Sequence, residues 1–138
     1  MSGSGFDLAP LTDRDDGRGA AFFVEPDTLA WLGPVADLHV VAIAPGKVRG
    51  NHKHAERREV IVLHYHGAVE IAWREPHGVR TQHVRFEGLG GLIIRIEPGT
   101  LHAFRNAGDG FVEIVSLSNG RFDRTETTYE TLLEDLPR

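Results

Sequence analysis

The sequence predicts one all-β domain, folded as a jelly-roll barrel, with an extended N-terminal arm and a short C-terminal helix. Two observations carry this. Strand-length apolar runs recur from about residue 35 onward, each closed by a Gly, Pro or Asn turn signal. The chain has 138 residues, 41% of them hydrophobic, enough for one good core and too few for two.

Residues 1–20 are rich in Gly and Asp, as in Asp13-Arg14-Asp15-Asp16-Gly17, and are expected to form a flexible arm ahead of a domain spanning 21–138. Phe22-Phe23-Val24 and Leu29 to Leu32 are apolar stretches expected to add strands to the barrel or to a second copy of the chain. Leu38 to Ala44 is a β-branched run that stops at Pro45-Gly46. Glu59 to Tyr65 stops at His66-Gly67, and Ala68 to Glu75 at Pro76-His77-Gly78. Val79 to Phe86 stops at Glu87-Gly88, Leu92 to Glu97 at Pro98-Gly99, and Leu101 to Asn106 at Ala107-Gly108. Phe111 to Ser118 stops at Asn119-Gly120. Thr128 to Leu136 alone has helix-like spacing, with Leu132, Leu133 and Leu136 along one side. A closed antiparallel barrel removes the exposed strand edges that such a chain would otherwise carry.

The formal charge of −5 argues against nucleic-acid or anionic-membrane partners, which need a basic surface. Zero Cys excludes disulfides, thiolate nucleophiles and Cys-ligated metal sites. No apolar run approaches a membrane span and no secretory signal is visible, so the expected location is cytoplasmic. The chain does carry 8 His, half of them between positions 52 and 66.

Those histidines open the chemistry. His52 and His54 are two residues apart, so in a strand they face the same side. Glu59 follows after a turn's length and can return to the same point. Pro98-Gly99 delivers His102 at the start of a later strand. Three imidazoles and a carboxylate form a nitrogen and oxygen donor set for Zn, Fe, Mn or Ni.

The two segments resemble the paired motifs of the cupin superfamily. The first motif is matched by Gly46, five residues, His52-Lys53-His54, four residues and Glu59, with the closing glycine one position late at Gly67. A bulge in that strand would absorb the extra residue. The second is matched by Gly91, Pro98-Gly99, His102 and Asn106, with Glu97 where a proline is usual. The resemblance spans roughly residues 35–118. It implies a six- to eight-stranded jelly roll with a divalent metal held inside by His52, His54, Glu59 and His102.

Arg49-Gly50-Asn51-His52-Lys53-His54 further resembles the signature of cupins acting on nucleotide-linked sugars: the 3,5-epimerases, the 3,4-ketoisomerases, and the cupin module of bifunctional capsular polysaccharide enzymes. The last group also has a tail like Asn119-Gly120-Arg121-Phe122-Asp123 followed by Thr127-Thr128-Tyr129. In it the cupin module epimerises a carbon beside a keto group. In the 3,5-epimerases the His at the position of His52 is the catalytic base, whereas the presence here of His54, Glu59 and His102 argues for His52 as a ligand.

Such chemistry needs a base for the proton beside the carbonyl and a partner for the enolate oxygen. His64, His66 and His83 are the candidate bases. Arg49 and Arg95 are candidates for a diphosphate or carboxylate. His39 reads as a hydrogen-bonded structural residue and His77 as exposed, while Arg57 and Arg58 read as solvated turn charges. Trp31 and Trp73 could stack on a sugar or belong to the core. Three readings follow: an epimerase or isomerase of a keto sugar, an Fe(II) oxygenase using the two positions that four ligands leave open, or a non-catalytic small-ligand module. A homodimer is expected.

Overall fold

The computed structural model describes residues 5–121 and 123–137. Residues 1–4, Phe122 of the tail segment and Arg138 lie outside the described residues. Eight strands and one short α-helix follow in order: β1 (Phe6–Leu11), α1 (Pro26–Leu32), β2 (Asp37–Ile43), β3 (Val48–His54), β4 (Glu59–Arg74), β5 (Gln82–Ile96), β6 (Leu101–Asn106), β7 (Val112–Ser118) and β8 (Thr127–Tyr129). All the pairings are antiparallel. The jelly-roll expectation holds.

A long hairpin organises the barrel. β4 and β5 pair without interruption from Glu59↔Ile96 to Trp73↔Gln82. The first half of β4 pairs with β7, and the second half with β6. One ribbon therefore runs through both walls: β1–β5–β4–β7–β2 on one side, β5–β4–β6–β3–β8 on the other. The turns expected at His66-Gly67 and Glu87-Gly88 are not turns. Gly67 (φ 113°) and Gly88 (φ 94°) face each other across the ladder, where the paired strands pass from one wall to the other. That left-handed backbone is open to glycine and strained for other residues.

Residues at odd positions of β4 (Ile61, Leu63, Tyr65, Val69, Ile71, Trp73) enter the core. Leu92, Ile94 and Ile96 of β5 and Phe104 of β6 join them. Two expectations change at the ends. Phe6–Leu11, expected within a flexible arm, is a strand on β5, because Phe6 and Leu8 are buried and Phe6 stacks on Trp73 at 4.4 Å. Leu29–Leu32 is helical rather than a strand. Pro26 starts the helix, where its missing N–H costs nothing, and Gly33 (φ 82°) ends it. Phe22-Phe23-Val24 forms no strand.

The tail also departs from expectation. Thr127–Tyr129 is a strand and 130–137 is irregular, with no helix. The cause is tertiary. Asn51 accepts hydrogen bonds from the Leu132 and Leu133 amides and donates to the Leu133 carbonyl, holding the tail extended. Leu133 then packs with Ala72 and Ala103, and Leu132 and Val48 lie against them. The three leucines mark a chain draped over the sheet, not a helix face.

Candidate functional site

The local chain geometry of β3 decides the site. Residues in register across an antiparallel pair share a face. Arg49 pairs with inward Phe104, and Gly50 with outward-facing Ala103. The register then shifts by one residue, so that His52 pairs with His102. The extra residue is Asn51, in left-handed backbone (φ 56°) after Gly50 (φ 101°). Without this bulge, inward Arg49 would place His52 and His54 on the outer face. The bulge thus falls at Gly50–His52, not before Gly67 as expected. A side chain at Gly50 would also meet the His102 carbonyl oxygen at 2.8 Å.

His52, His54, Glu59 and His102 converge as the sequence predicts. Each offers one donor atom, and the four atoms lie within 4.8 Å of one another. His54, Glu59 and His102 are buried, and His52 is partly so. Three of the four donors are oriented from behind. The His102 Nδ1–H donates to the Thr100 carbonyl at 2.9 Å, leaving Nε2 as a lone-pair donor. His54 Nδ1 lies 3.1 Å from Glu126 Oε1 and 3.0 Å from Thr127 Oγ1, leaving its Nε2 3.1 Å from Glu59 Oε1. Ser116 Oγ donates to Glu59 Oε2 at 3.2 Å. The Pro98-Gly99 turn is tied to β3 by the Gly99 amide, which donates to the His54 carbonyl at 2.7 Å.

The electrostatics suit a cation. Burial, with the neighbouring His102 and His54, lowers the His52 pKa to about 3, and burial likewise lowers that of His102. Burial raises the Glu59 pKa, but His54 beside it and the other imidazoles outweigh that and bring it to about 2. Neutral His52 and His102 beside an ionised Glu59 carboxylate are the protonation states that metal ligands adopt. Glu59 Oε1 and His102 Nε2 are buried without a hydrogen-bond partner, two unsatisfied atoms aimed at one point. The donor set fits a divalent first-row ion.

These residues line one end of a cavity of about 410 Å³ that opens between the two walls. Arg49 lines it. His64, His66 and His83 do not: the structure does not bring the three candidate bases to this cavity. In β4 the inward positions are odd, so His64 and His66 sit on the opposite face to Glu59. His64 faces Glu113 at 3.6 Å, and His83 faces Glu70 at 3.4 Å on the outer surface. Arg95 is also outside, paired with Asp7 at 2.5 Å and beside the Trp31 ring, which Arg58 covers from 4.7 Å. Trp73 belongs to the core.

Sequence reasoning missed several residues. Arg57 is no solvated turn charge: it is buried, pairs with Glu126 at 3.2 Å, and lies against the His54 ring. Glu126 comes from 72 positions beyond His54, with no local signal to announce it. Tyr129 lies at the cavity mouth, its ring 6.0 Å from that of His52. His39 also lines the cavity, although its strand pattern read as structural. There the signal existed, since His39 shares its parity with inward Val41 and Ile43.

No protein-family model matches the sequence, and no curated protein sequence matches it significantly. Solved structures do match. A mutant of the sugar 3,4-ketoisomerase of Thermoanaerobacterium thermosaccharolyticum, in complex with TDP-4-keto-6-deoxyglucose, aligns with TM-score 0.68 at 16% identity, over 92% of this chain and 88% of its own. The fold is that of the cupin nucleotide-sugar enzymes. A dTDP sugar isomerase from Desulfovibrio desulfuricans aligns with TM-score 0.74 at 14% identity, over 93% of this chain and 85% of its own. A 3'-monoepimerase from Streptomyces bikiniensis, in complex with dTDP-quinovose, gives 0.75 at 19%, over 94% and 71%.

Proposed function

We propose that the cavity is the active site of a metal-dependent isomerase or epimerase, acting beside the carbonyl of a nucleotide-linked keto sugar. One observation carries the reading: four nitrogen and oxygen donors, two of them with buried unsatisfied atoms, converge at the end of a cavity large enough for a sugar. His52, His54, Glu59 and His102 would hold a divalent ion, with zinc, iron, manganese and nickel all compatible. Such an ion, when bound, supplies Lewis-acid polarisation of a carbonyl oxygen. Arg49, on the cavity lining, offers a planar fork for a diphosphate. Tyr129, largely exposed at the mouth, offers a ring to stack on a sugar or base. The structural neighbours, which include ketoisomerases and epimerases crystallised with TDP-sugars, support this substrate class.

The same reading places the protein in the cytoplasm as a homodimer. Exposed Leu38 and Val40 on the outer face of β2 are the surface we assign to self-association. No helix among the described residues is long and apolar enough to cross a membrane.

The test is incubation of the metal-loaded protein with TDP-4-keto-6-deoxyglucose in D2O, under argon and in air. Deuterium at the carbons flanking the carbonyl, without O₂ uptake, supports the proposal. Substrate-dependent O₂ consumption by the Fe(II) form assigns the site to an oxygenase. Saturable binding with neither change assigns it to a binding module.

A further inference from the structure

Proton transfer beside a carbonyl needs a base, and the three histidines expected to supply it lie outside the cavity. His52, His54 and His102 are inside, but their inward nitrogens belong to the donor cluster. One histidine on the cavity wall remains.

His39 lies on β2, in the wall opposite the one that carries His52, His54 and His102. Val41 and Ile43, two and four residues on, point into the core, so strand alternation turns Asp37 and His39 to the same side, at the open end. His39 Nδ1 lies 2.9 Å from Asp37 Oδ2. A carboxylate there takes the Nδ1–H and leaves Nε2 with its lone pair, the tautomer a general base needs. His39 pairs with Ser116, and Ser116 with Ile61, so it stands two strands from β4, roughly 10 Å of backbone spacing. A sugar whose carbonyl is held at the cluster would lie between the two walls and present its adjacent C–H to His39. An imidazole in the run Leu38-His39-Val40-Val41-Ala42-Ile43 breaks an otherwise apolar stretch at one of its two positions, His39 and Val41, that line the cavity.

We propose that His39 is the catalytic base of this cavity and that Asp37 positions it. The proposal rests on the proton-transfer reading above. In the step it assigns, the C–H bond beside the carbonyl breaks, the proton goes to His39 Nε2, and the electron pair moves onto the carbonyl oxygen as an enolate. Return of that proton to the same carbon restores the ketone. Its delivery to the former carbonyl carbon, while the hydroxyl on the adjacent carbon passes its proton to the enolate oxygen, moves the carbonyl by one position. In either case His39 is again neutral and no redox partner is consumed. Asp37 remains a carboxylate and stabilises the imidazolium.

His39 is half exposed, so its replacement leaves the core untouched. The experiment measures deuterium incorporation into TDP-4-keto-6-deoxyglucose by wild-type, His39→Gln, His39→Ala and Asp37→Ala proteins, with bound metal and substrate KM measured alongside. The expected result is a loss of about a hundredfold or more in His39→Gln at unchanged metal content. Asp37→Ala lowers kcat by a smaller factor at unchanged KM. Added imidazole restores exchange to His39→Ala, which a merely structural role would not allow. Exchange by His39→Gln within twofold of wild type overturns the assignment of His39 alone. So does a loss that tracks metal content, or a His39→Ala protein that imidazole does not rescue. A wild-type protein that never exchanges overturns the proton-transfer reading and the base with it.

Discussion

Asn51 joins fold and site, and its replacement by Ala is the most informative stability experiment. Its side chain makes three hydrogen bonds to the backbone of the tail, at 2.8, 2.9 and 3.2 Å. Each is worth ~1 kcal/mol net, so their loss costs about 3 kcal/mol if none is replaced by water. Asn also tolerates its left-handed backbone better than Ala, which adds about 1 kcal/mol. Asn51→Ala should therefore lower unfolding free energy by about 2–4 kcal/mol. Asn51→Gly loses the same hydrogen bonds without the backbone strain and should recover about 1 kcal/mol of that. The assay is urea denaturation of metal-free protein followed by tryptophan fluorescence, with hydrogen exchange at the Leu132 and Leu133 amides. Both variants should release those amides. A stability loss in Asn51→Ala under 0.5 kcal/mol, with unchanged exchange in the tail, would refute the claim that Asn51 holds the tail and the bulge together.

Three further outcomes follow from the same geometry. The folded state holds His52 at about 3 against an ordinary 6.5, and Glu59 at about 2 against 4.5. The unfolded chain therefore binds more protons across both windows, and stability of the metal-free protein should fall as pH drops from about 6.5 toward 3, with Glu59 extending the loss toward 2; a flat denaturation midpoint between pH 7 and 4 would contradict this. Phe6→Ala removes a fully buried ring stacked on Trp73 and should cost about 3–5 kcal/mol by thermal or urea unfolding; a cost under 1 kcal/mol would show that β1 is not part of the core. Glu126→Gln weakens the support behind His54 and should reduce divalent-metal affinity by about 10- to 100-fold in a competition titration; unchanged affinity would remove Glu126 from the site.

What the sequence revealed and what it concealed have physical reasons. The donor set was legible because two-residue spacing and a Pro-Gly turn are local signals. The parity that excludes His64 and His66 was equally local, since both differ by an odd number from Glu59. The long hairpin was concealed because a glycine pair opposed across a ladder, Gly67 and Gly88, reads in one dimension like two turns. The tail was misread because Leu132, Leu133 and Leu136 have helical spacing, and distant partners hold them extended: the Asn51 side chain at Leu132 and Leu133, and the Gly46 carbonyl at the Leu136 amide. Glu126 and Arg57 reach His54 through tertiary contacts that no short motif encodes.

The central claim is that His52, His54, Glu59 and His102 form one metal centre, and metal analysis tests it most directly. Protein stripped with chelator and titrated with Zn(II), Mn(II), Fe(II) or Ni(II) should take up one equivalent at neutral pH. Glu59→Gln and His102→Ala, folded as judged by circular dichroism, should each lose most of that binding. A wild-type protein that takes up no stoichiometric ion, or a His102→Ala protein that binds as wild type does, would contradict the account.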